Sequence, residues 1–317
     1  MQRIFMQEKP SDISIEQVFE KFLKVKECSN VAPDTISYYQ RCFKSFKRFY
    51  DTSLPCNSIT LDTINDYVIF LKENTKDNDI TINSHLRGIR ALFYYAMELG
   101  YVKSFKIKLI KAVKKIKETY TTEELNLLLK KPDMKKCNFA EYRTWVMTNY
   151  FLGTGNRLET VVNLKIGDIN FQDYEIRLLR TKNKKQQIIP LSMELSKILK
   201  EYLMYRQGEP EDLLFCTEYG TKLAKRSVQT HFQKYNRERG VTKTSIHAFR
   251  HTFAKNWILN GGDIFTLQRI LGHSSIEMVK EYVNMFDKDL QRGFNSFNPL
   301  DTFFKEQKKG EKIKVRK

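Results

Sequence analysis

Apolar residues recur every three to four positions along most of the chain, and the runs they make predict helices. Within residues 14–25, Ile15, Val18, Phe19, Phe22 and Leu23 fall on one stripe. A second run follows Pro33, where Ile36, Tyr39, Phe43, Phe46 and Phe49 keep helical spacing and Lys44, Lys47 and Arg48 ride on other faces. Asp34 or Thr35 is its expected cap. Pro55 interrupts the pattern. Residues 61–71 form a third predicted helix, and residues 82–101 a fourth, with Gly100 as the expected C-cap. These helices predict a compact bundle over residues 11–103, its aromatic residues in the core. His85 and Arg87 admit two readings, a phosphate contact or a solvated face.

The pattern then changes. From Lys103 to Lys117 the chain carries seven lysines: Lys103, Lys106, Lys108, Lys111, Lys114, Lys115 and Lys117. That much charge cannot be buried, so residues 104–118 read as an interdomain linker or a DNA-facing strap. Thr121, Thr122, Glu123 and Glu124 precede an apolar run in the manner of a capped helix start. A second domain is therefore placed at residues 119–290. Its expected helices lie at 122–130, 139–152, 192–206, 224–239, 245–259 and 263–270, with strand-like pieces at 168–170, 175–179 and 187–190. The last two pieces flank a hairpin tip with Lys182, Lys184 and Lys185. The expected fold class is mainly α: a helical N-terminal bundle, then a mixed, mostly α domain with a small antiparallel sheet. Residues 291–317 add an apolar group, Phe294, Phe297, Leu300, Phe303 and Phe304, and a basic end.

Charge narrows the function. Fifty-five Lys and Arg against 37 Asp and Glu leave a net +18 over 317 residues, with a pI near 9.5. Such an excess repels itself and draws polyanions, nucleic acid first among them. The five cysteines are scattered without CxxC spacing, so neither a zinc site nor a disulfide framework is expected, and a reducing cytoplasm suits them. The N-terminal residues do not resemble a signal peptide, and no apolar run approaches the roughly 20 residues that span a bilayer. No membrane partner is expected.

The second domain holds a spaced set of groups suited to phosphodiester chemistry: Arg157, Lys182, His247, Arg250, His273 and Tyr282. Displacement at phosphorus builds negative charge on the equatorial oxygens, which planar guanidinium forks hold in pairs. Fixed cations lower that barrier without reorganising. A lysine can protonate the departing oxygen, and a tyrosine can attack to form a covalent ester. Such an ester conserves bond energy, consistent with the lack of a GxxxxGK[ST] phosphate loop. Gly153 and Gly155 ahead of Arg157 permit a tight turn, and His247 and Arg250 share a helix face at a spacing of three. Gly272 is expected to end one helix and Ser274 or Ser275 to start the next.

TGNRLET, TKNKKQQIIPL, HAFRHTFA, LGHSS and KEYVN, in this order and spacing, resemble the tyrosine recombinase (phage integrase) family. The resemblance covers residues 12–290, the first domain resembling the family's SAM-like core-binding domain. It implies that Arg157 and Arg250 are the catalytic arginines and His247 the first histidine. His273 would then contact the scissile phosphate, and Tyr282 would be the nucleophile. It implies Lys182 as the β-hairpin lysine that protonates the leaving 5′ hydroxyl, with Lys184 and Lys185 as alternatives. No metal or other cofactor is required. Double-stranded DNA with inverted half-sites, a homotetramer on that DNA, a Holliday junction, and a C-terminal segment that docks on a neighbouring protomer are further implications. A related recombinase or an accessory DNA-bending protein is a further candidate partner, and the cytoplasmic nucleoid is the implied location.

One position departs from the family pattern. A carboxylate is usual three residues after the first arginine; here that position is Thr160, and Glu159 precedes it. A one-residue shift turns a helical side chain by about 100°, so the Thr160 hydroxyl is expected to support Arg157 instead. The biological role stays open between mobile-element integration or excision and replicon-dimer resolution, the near-direct start at the core-binding helices favouring a recombinase without an arm-site domain. The alternatives in other classes are a noncatalytic DNA-binding protein on the same fold and a type IB topoisomerase.

Overall fold

A computed structural model of the protein describes residues 13–113, 117–178, 186–273 and 275–283. The chain divides into two compact units, residues 1–115 and 116–317, each with its own buried apolar cluster.

The first unit is built on α1 (Ile15–Cys28), α2 (Pro33–Lys47), α3 (Leu61–Asn74) and α4 (Asp79–Glu98). Side chains mark three of the four starts. Ser14 with Gln17 and Thr60 with Thr63 form capping boxes, and Asn78 accepts the Thr81 amide. The start of α2 differs from the sequence expectation. Its cap residue is Ala32, with no side-chain bond, so Asp34 and Thr35 lie inside the first turn. Pro33 takes the first helical position, where its fixed φ suits the helix and its missing N–H costs nothing. Phe46 sits at the centre of the bundle with Tyr67 and Phe93 edge-on to it, ring centroids 5.0 and 5.5 Å away. Gly88 lets α4 lie close against α2, because a Cβ there would fall 2.5 Å from the Cys42 sulfur. Gly100, at φ +76°, ends α4 in the left-handed conformation: its N–H donates to the Met97 carbonyl, and that of Tyr101 to Ala96.

The basic stretch after α4 takes the form of a strap through residue 113. Val102 and Ile107 are buried and Phe105, Leu109 and Ile110 pack against the bundle core, while Lys103, Lys106, Lys108 and Lys111 face solvent. Asn83 on α4 grips it from below, donating to the Ile110 carbonyl and accepting from the Ile110 amide. Alternation of apolar and lysine residues thus reconciles heavy charge with packing. His85 is half-buried, 3.7 Å from the Asp77 carboxylate, and burial lowers its pKa; Arg87 is exposed.

The second unit contains α5 (Thr122–Leu129), α6 (Phe139–Thr154), α7 (Leu158–Val161), β1 (Ile169–Asn170), β2 (Glu175–Leu178), β3 (Gln187–Pro190), α8 (Met193–Arg206), α9 (Lys225–Glu238), α10 (Ile246–Leu259), α11 (Ile264–Leu271) and α12 (Glu277–Val283). The strands form one antiparallel sheet in the order β1-β2-β3, with Ile176 opposite both Ile169 and Ile189. The fold is mainly helical with a small antiparallel sheet, in agreement with the sequence reading. α6 is the axis of this unit. It packs against α5, α8, α9 and α10, and Tyr142, Val146, Met147, Tyr150 and Phe151 are all buried. A helix covered on every side carries no single apolar stripe. The short α7 is an element the sequence reading did not foresee. Lys182, Lys184 and Lys185, Ser274 and the segment from residue 284 onward, including Phe294, Phe297, Leu300, Phe303 and Phe304, lie outside the described residues.

Candidate active site

The site is assembled where α6 ends, around α10, just after α11, and in the last turn of α12. α6 closes on Gly155, at φ +63°. A Cβ there would lie 2.7 Å from Phe253 and 2.8 Å from Leu271, so only glycine passes between them. Gly153 is still helical; one glycine, rather than the expected two, makes the turn. Asn156 is buried, its amide donating to the Tyr150 hydroxyl at 3.0 Å. This fixes the backbone just before Arg157, which caps α7 in extended conformation and donates to the Leu271 carbonyl at 3.4 Å.

α10 supplies His247, Arg250 and His251. Arg250 is 5% exposed. It donates to the Gly155 carbonyl (2.7 Å) and the Leu271 carbonyl (2.8 Å), and lies 2.6 Å from His273 Nε2. A guanidinium has donors only, so Nε2 is the acceptor and a neutral His273 ring carries its proton on Nδ1. Burial, then repulsion from Arg157, bring Arg250 down to about 10, with Tyr282 acting in the opposite sense. It is still a cation at neutral pH. Among the described residues its partners are carbonyls, an imidazole and the Tyr282 hydroxyl, and no carboxylate balances it. A buried cation held this way is favourably completed by an anion. Burial also lowers Arg157, against the pull of Tyr282. His247 is lowered by burial first and by Arg250 and Arg157 next, so its imidazole is neutral at pH 7.

Tyr282 stands on α12, which packs on α10 and α11. Its ring is buried with Ala254, Leu267, Leu271 and Val279. Its hydroxyl lies 3.0 Å from His251 Nδ1. The His273 ring is parallel to it, 2° between planes with centroids 6.2 Å apart, and Lys117 Nζ stands 4.8 Å from its ring centre. Arg157, His247, Arg250, His273 and Tyr282, separated by up to 125 residues of sequence, thus come together. Lys182 lies outside the described residues. His251 and Lys117 were not singled out by the sequence reading. His251 follows Arg250 directly and carried no signal beyond that, and Lys117 was one of seven lysines in a basic run. Tyr219 is 83% exposed, and the Tyr235 hydroxyl is spent on the Leu128 carbonyl, so neither stands in this group.

The expected support of Arg157 by Thr160 is not what the structure holds. Among the described residues no hydrogen bond joins the Thr160 hydroxyl to Arg157. Thr160 lines a separate cleft of about 300 Å³ with Asn163, Asp168, Leu213 and Lys222. Glu159 is also turned away, paired with Lys225 at 2.6 Å and with Asn163. Both residues lie in α7, which begins at Leu158.

Among the described residues there is no group of three or more metal-ligating side chains, and no helix is long and apolar enough to cross a membrane.

Residues 118–289 match the model of the phage integrase family, and residues 12–116 that of the phage integrase SAM-like domain. The tyrosine recombinase XerC of Chlamydia caviae is 27% identical over 289 residues, spanning 82% of this chain and 91% of that protein. XerD of Oceanobacillus iheyensis is 23% identical over 301 residues, spanning 91% and 99%. The Tn1549 transposon integrase, solved with a circular intermediate DNA, superposes with a TM-score of 0.70 at 21% identity, covering 85% of this chain and 95% of that one, a likeness of fold. Two contiguous family matches running from residue 12 to residue 289 leave the conclusion that the chain belongs to the phage integrase family, an Xer-like tyrosine recombinase acting in site-specific DNA recombination.

Proposed function

We propose that Tyr282 cuts DNA by attacking a phosphodiester held between Arg157 and Arg250. The observation that carries this reading is the buried, carboxylate-free Arg250 cation beside the Tyr282 hydroxyl. In the proposed step the Tyr282 oxygen bonds to phosphorus, the bond from phosphorus to the 5′ oxygen breaks, and the product is a 3′-phosphotyrosyl ester with a free 5′ hydroxyl. The two arginines neutralise the equatorial oxygens as charge develops. Neutral His247 adds a hydrogen bond to the same phosphate. His273 orients Arg250 and reaches the phosphate edge. Lys182 gives the 5′ oxygen its proton. Rejoining is the reverse attack by a 5′ hydroxyl, so neither ATP nor a metal ion enters the scheme.

The partner in this reading is double-stranded DNA with inverted half-sites. Residues 11–103 act as the core-binding domain, 104–118 as a basic connection, 119–290 as the catalytic domain and 291–317 as a segment that docks on a neighbouring protomer. Two pairs of protomers form a tetramer, exchange strands through a Holliday junction and resolve it with the second pair of tyrosines. The biological outcome is movement of a mobile element or resolution of replicon dimers, in the cytoplasm on the nucleoid.

The test is a nicked duplex that traps the covalent step. The duplex is recovered by binding selection from a random pool with Tyr282→Phe, then nicked beside the scissile position so that the 5′ fragment is lost. The expected result is a protein–DNA adduct on a denaturing gel with the native chain and none with Tyr282→Phe. Tight binding without adduct would favour a noncatalytic DNA-binding protein, and relaxation of supercoiled DNA by a monomer would favour a topoisomerase.

A further inference from the structure

A phenol that attacks phosphorus must lose its proton, and the roles above name no group to receive it. The surroundings of the Tyr282 oxygen are almost all unable to. Arg157 and Arg250 face it with guanidinium groups, which carry donors only. Lys117 Nζ stands 4.8 Å from the ring centre, and an ammonium has donors only. His273 lies parallel to the ring, and its Nε2 lone pair is already engaged by Arg250 at 2.6 Å. His251 alone among these places a ring nitrogen against the oxygen, Nδ1 at 3.0 Å. Its ring is tilted 46° from the tyrosine plane, so the contact runs through the hydroxyl and not through stacked faces.

We propose that His251 is a further catalytic residue whose Nδ1 takes the phenolic proton of Tyr282 as the oxygen bonds to phosphorus. The inference rests on the assignment of Tyr282 as nucleophile. In the forward step the O–H electron pair becomes the new bond to phosphorus and the proton passes to Nδ1. The bond to the 5′ oxygen breaks, and Lys182 protonates that oxygen. On rejoining, the imidazolium returns the proton to the departing phenolate, so His251 ends each cycle as it began. The neutral tautomer required carries its hydrogen on Nε2. Among the described residues the groups facing the pair are Lys117 ahead of α5, Arg157 at the start of α7, Arg250 on α10 with His247 beside the two arginines, and His273 after α11, while Glu277 and Lys280 of α12 are exposed. Those facing the pair are cationic or neutral. Among the described residues, His251 is the imidazole whose ring nitrogen meets the hydroxyl.

The experiment is the pH dependence of single-turnover adduct formation on the selected nicked duplex, with His251→Asn and His251→Ala. Asparagine puts a hydrogen-bonding atom near the Nδ1 position but cannot take a proton. At pH 7 the Asn variant should form adduct about 10²-fold more slowly, the scale of general-base catalysis. It should bind the duplex with unchanged affinity. Its deficit should shrink steadily as the pH is raised, because hydroxide can then take the phenolic proton in place of a base. Added imidazole should speed His251→Ala and leave the native chain unaffected. A deficit of constant size at every pH, with no rescue by imidazole, would assign His251 a packing role and overturn the inference, as would an unchanged rate. Both outcomes leave the native adduct intact. An adduct that survives Tyr282→Phe would instead overturn the nucleophile assignment itself and this inference with it.

Discussion

Arg250 shows how a single side chain sets the chemistry of its surroundings. It sits in the interior among carbonyls and an imidazole, where a cation is costly unless an anion completes it. Its geometry depends on Gly155, whose carbonyl it engages. Gly155→Ala would force a side chain into a left-handed backbone and against Phe253 and Leu271. The backbone strain alone costs about 1–2 kcal/mol. The variant should melt several degrees lower, and the displaced carbonyl should slow adduct formation beyond what the lost stability explains; a native melting temperature would contradict this. Arg250→Lys should be far from conservative, because one ammonium cannot reach two carbonyls and an imidazole in a fixed fork. A loss of adduct formation of at least 10²-fold, the scale of one lost transition-state donor, is expected, with folding retained. The histidines give a pH signature. Burial lowers His85, His231 and His247 below the unfolded value. Depressed groups leave stability whole above pH ~6.5 and erode it as the pH falls through their folded values, since the unfolded chain binds protons first. The shifted carboxylates act lower, below about pH 4.5. The melting temperature should therefore decline between pH 7 and pH 5, and a flat profile over that window would refute the assignment.

At the scale of elements, two devices place the chemistry. α6 ends in a left-handed glycine so that the chain turns sharply into Arg157. α12 lies on α10 and α11, bringing Tyr282 to His251 and His273. In the first unit the corresponding device is the strap. Asn83 satisfies both backbone groups of Ile110, so Asn83→Ala leaves a donor and an acceptor unmet beneath a charged segment. The expected cost is about 1–3 kcal/mol. Faster hydrogen exchange at the Ile110 amide should accompany it, and unchanged protection would show that the apolar contacts of Val102 and Ile107 hold the strap without Asn83.

For the whole molecule, the net charge of +18 outweighs any local pairing. Fifty-five cations cannot all be neutralised by 37 carboxylates, and ion pairs such as Lys225 with Glu159 or Arg239 with Glu141 use only some of them. The remainder presents a positive field to DNA phosphates. Affinity for duplex DNA should fall linearly on a log–log plot against salt, with a slope of about −0.9 for each phosphate neutralised. A slope near zero in a filter-binding titration would contradict an electrostatic footprint.

The sequence by itself determined the helices whose caps and stripes are local. Ser14, Thr60 and Thr121 precede their helices as hydroxyl caps, Gly100 and Gly272 end theirs, and the alternation in residues 175–178 is that of a half-buried strand. The family motifs were equally legible, because each is a short contiguous string. What depended on distant residues was not legible. Pro33, and not Asp34 or Thr35, sets the start of α2, because a residue already inside the first turn no longer occupies the capping position. α6 looked like an ordinary apolar run, and only its neighbours revealed that it is covered all round. Thr160 and Glu159 were judged by their spacing from Arg157, but their surroundings, a cleft for Thr160 and Lys225 for Glu159, are set by distant residues. His251 sits beside Arg250 in the chain, yet what gives it meaning is a hydroxyl 31 residues further on. Local patterns fix φ, ψ and caps; the meeting of α10 with α12, which sets the proton's path, is decided by tertiary packing alone.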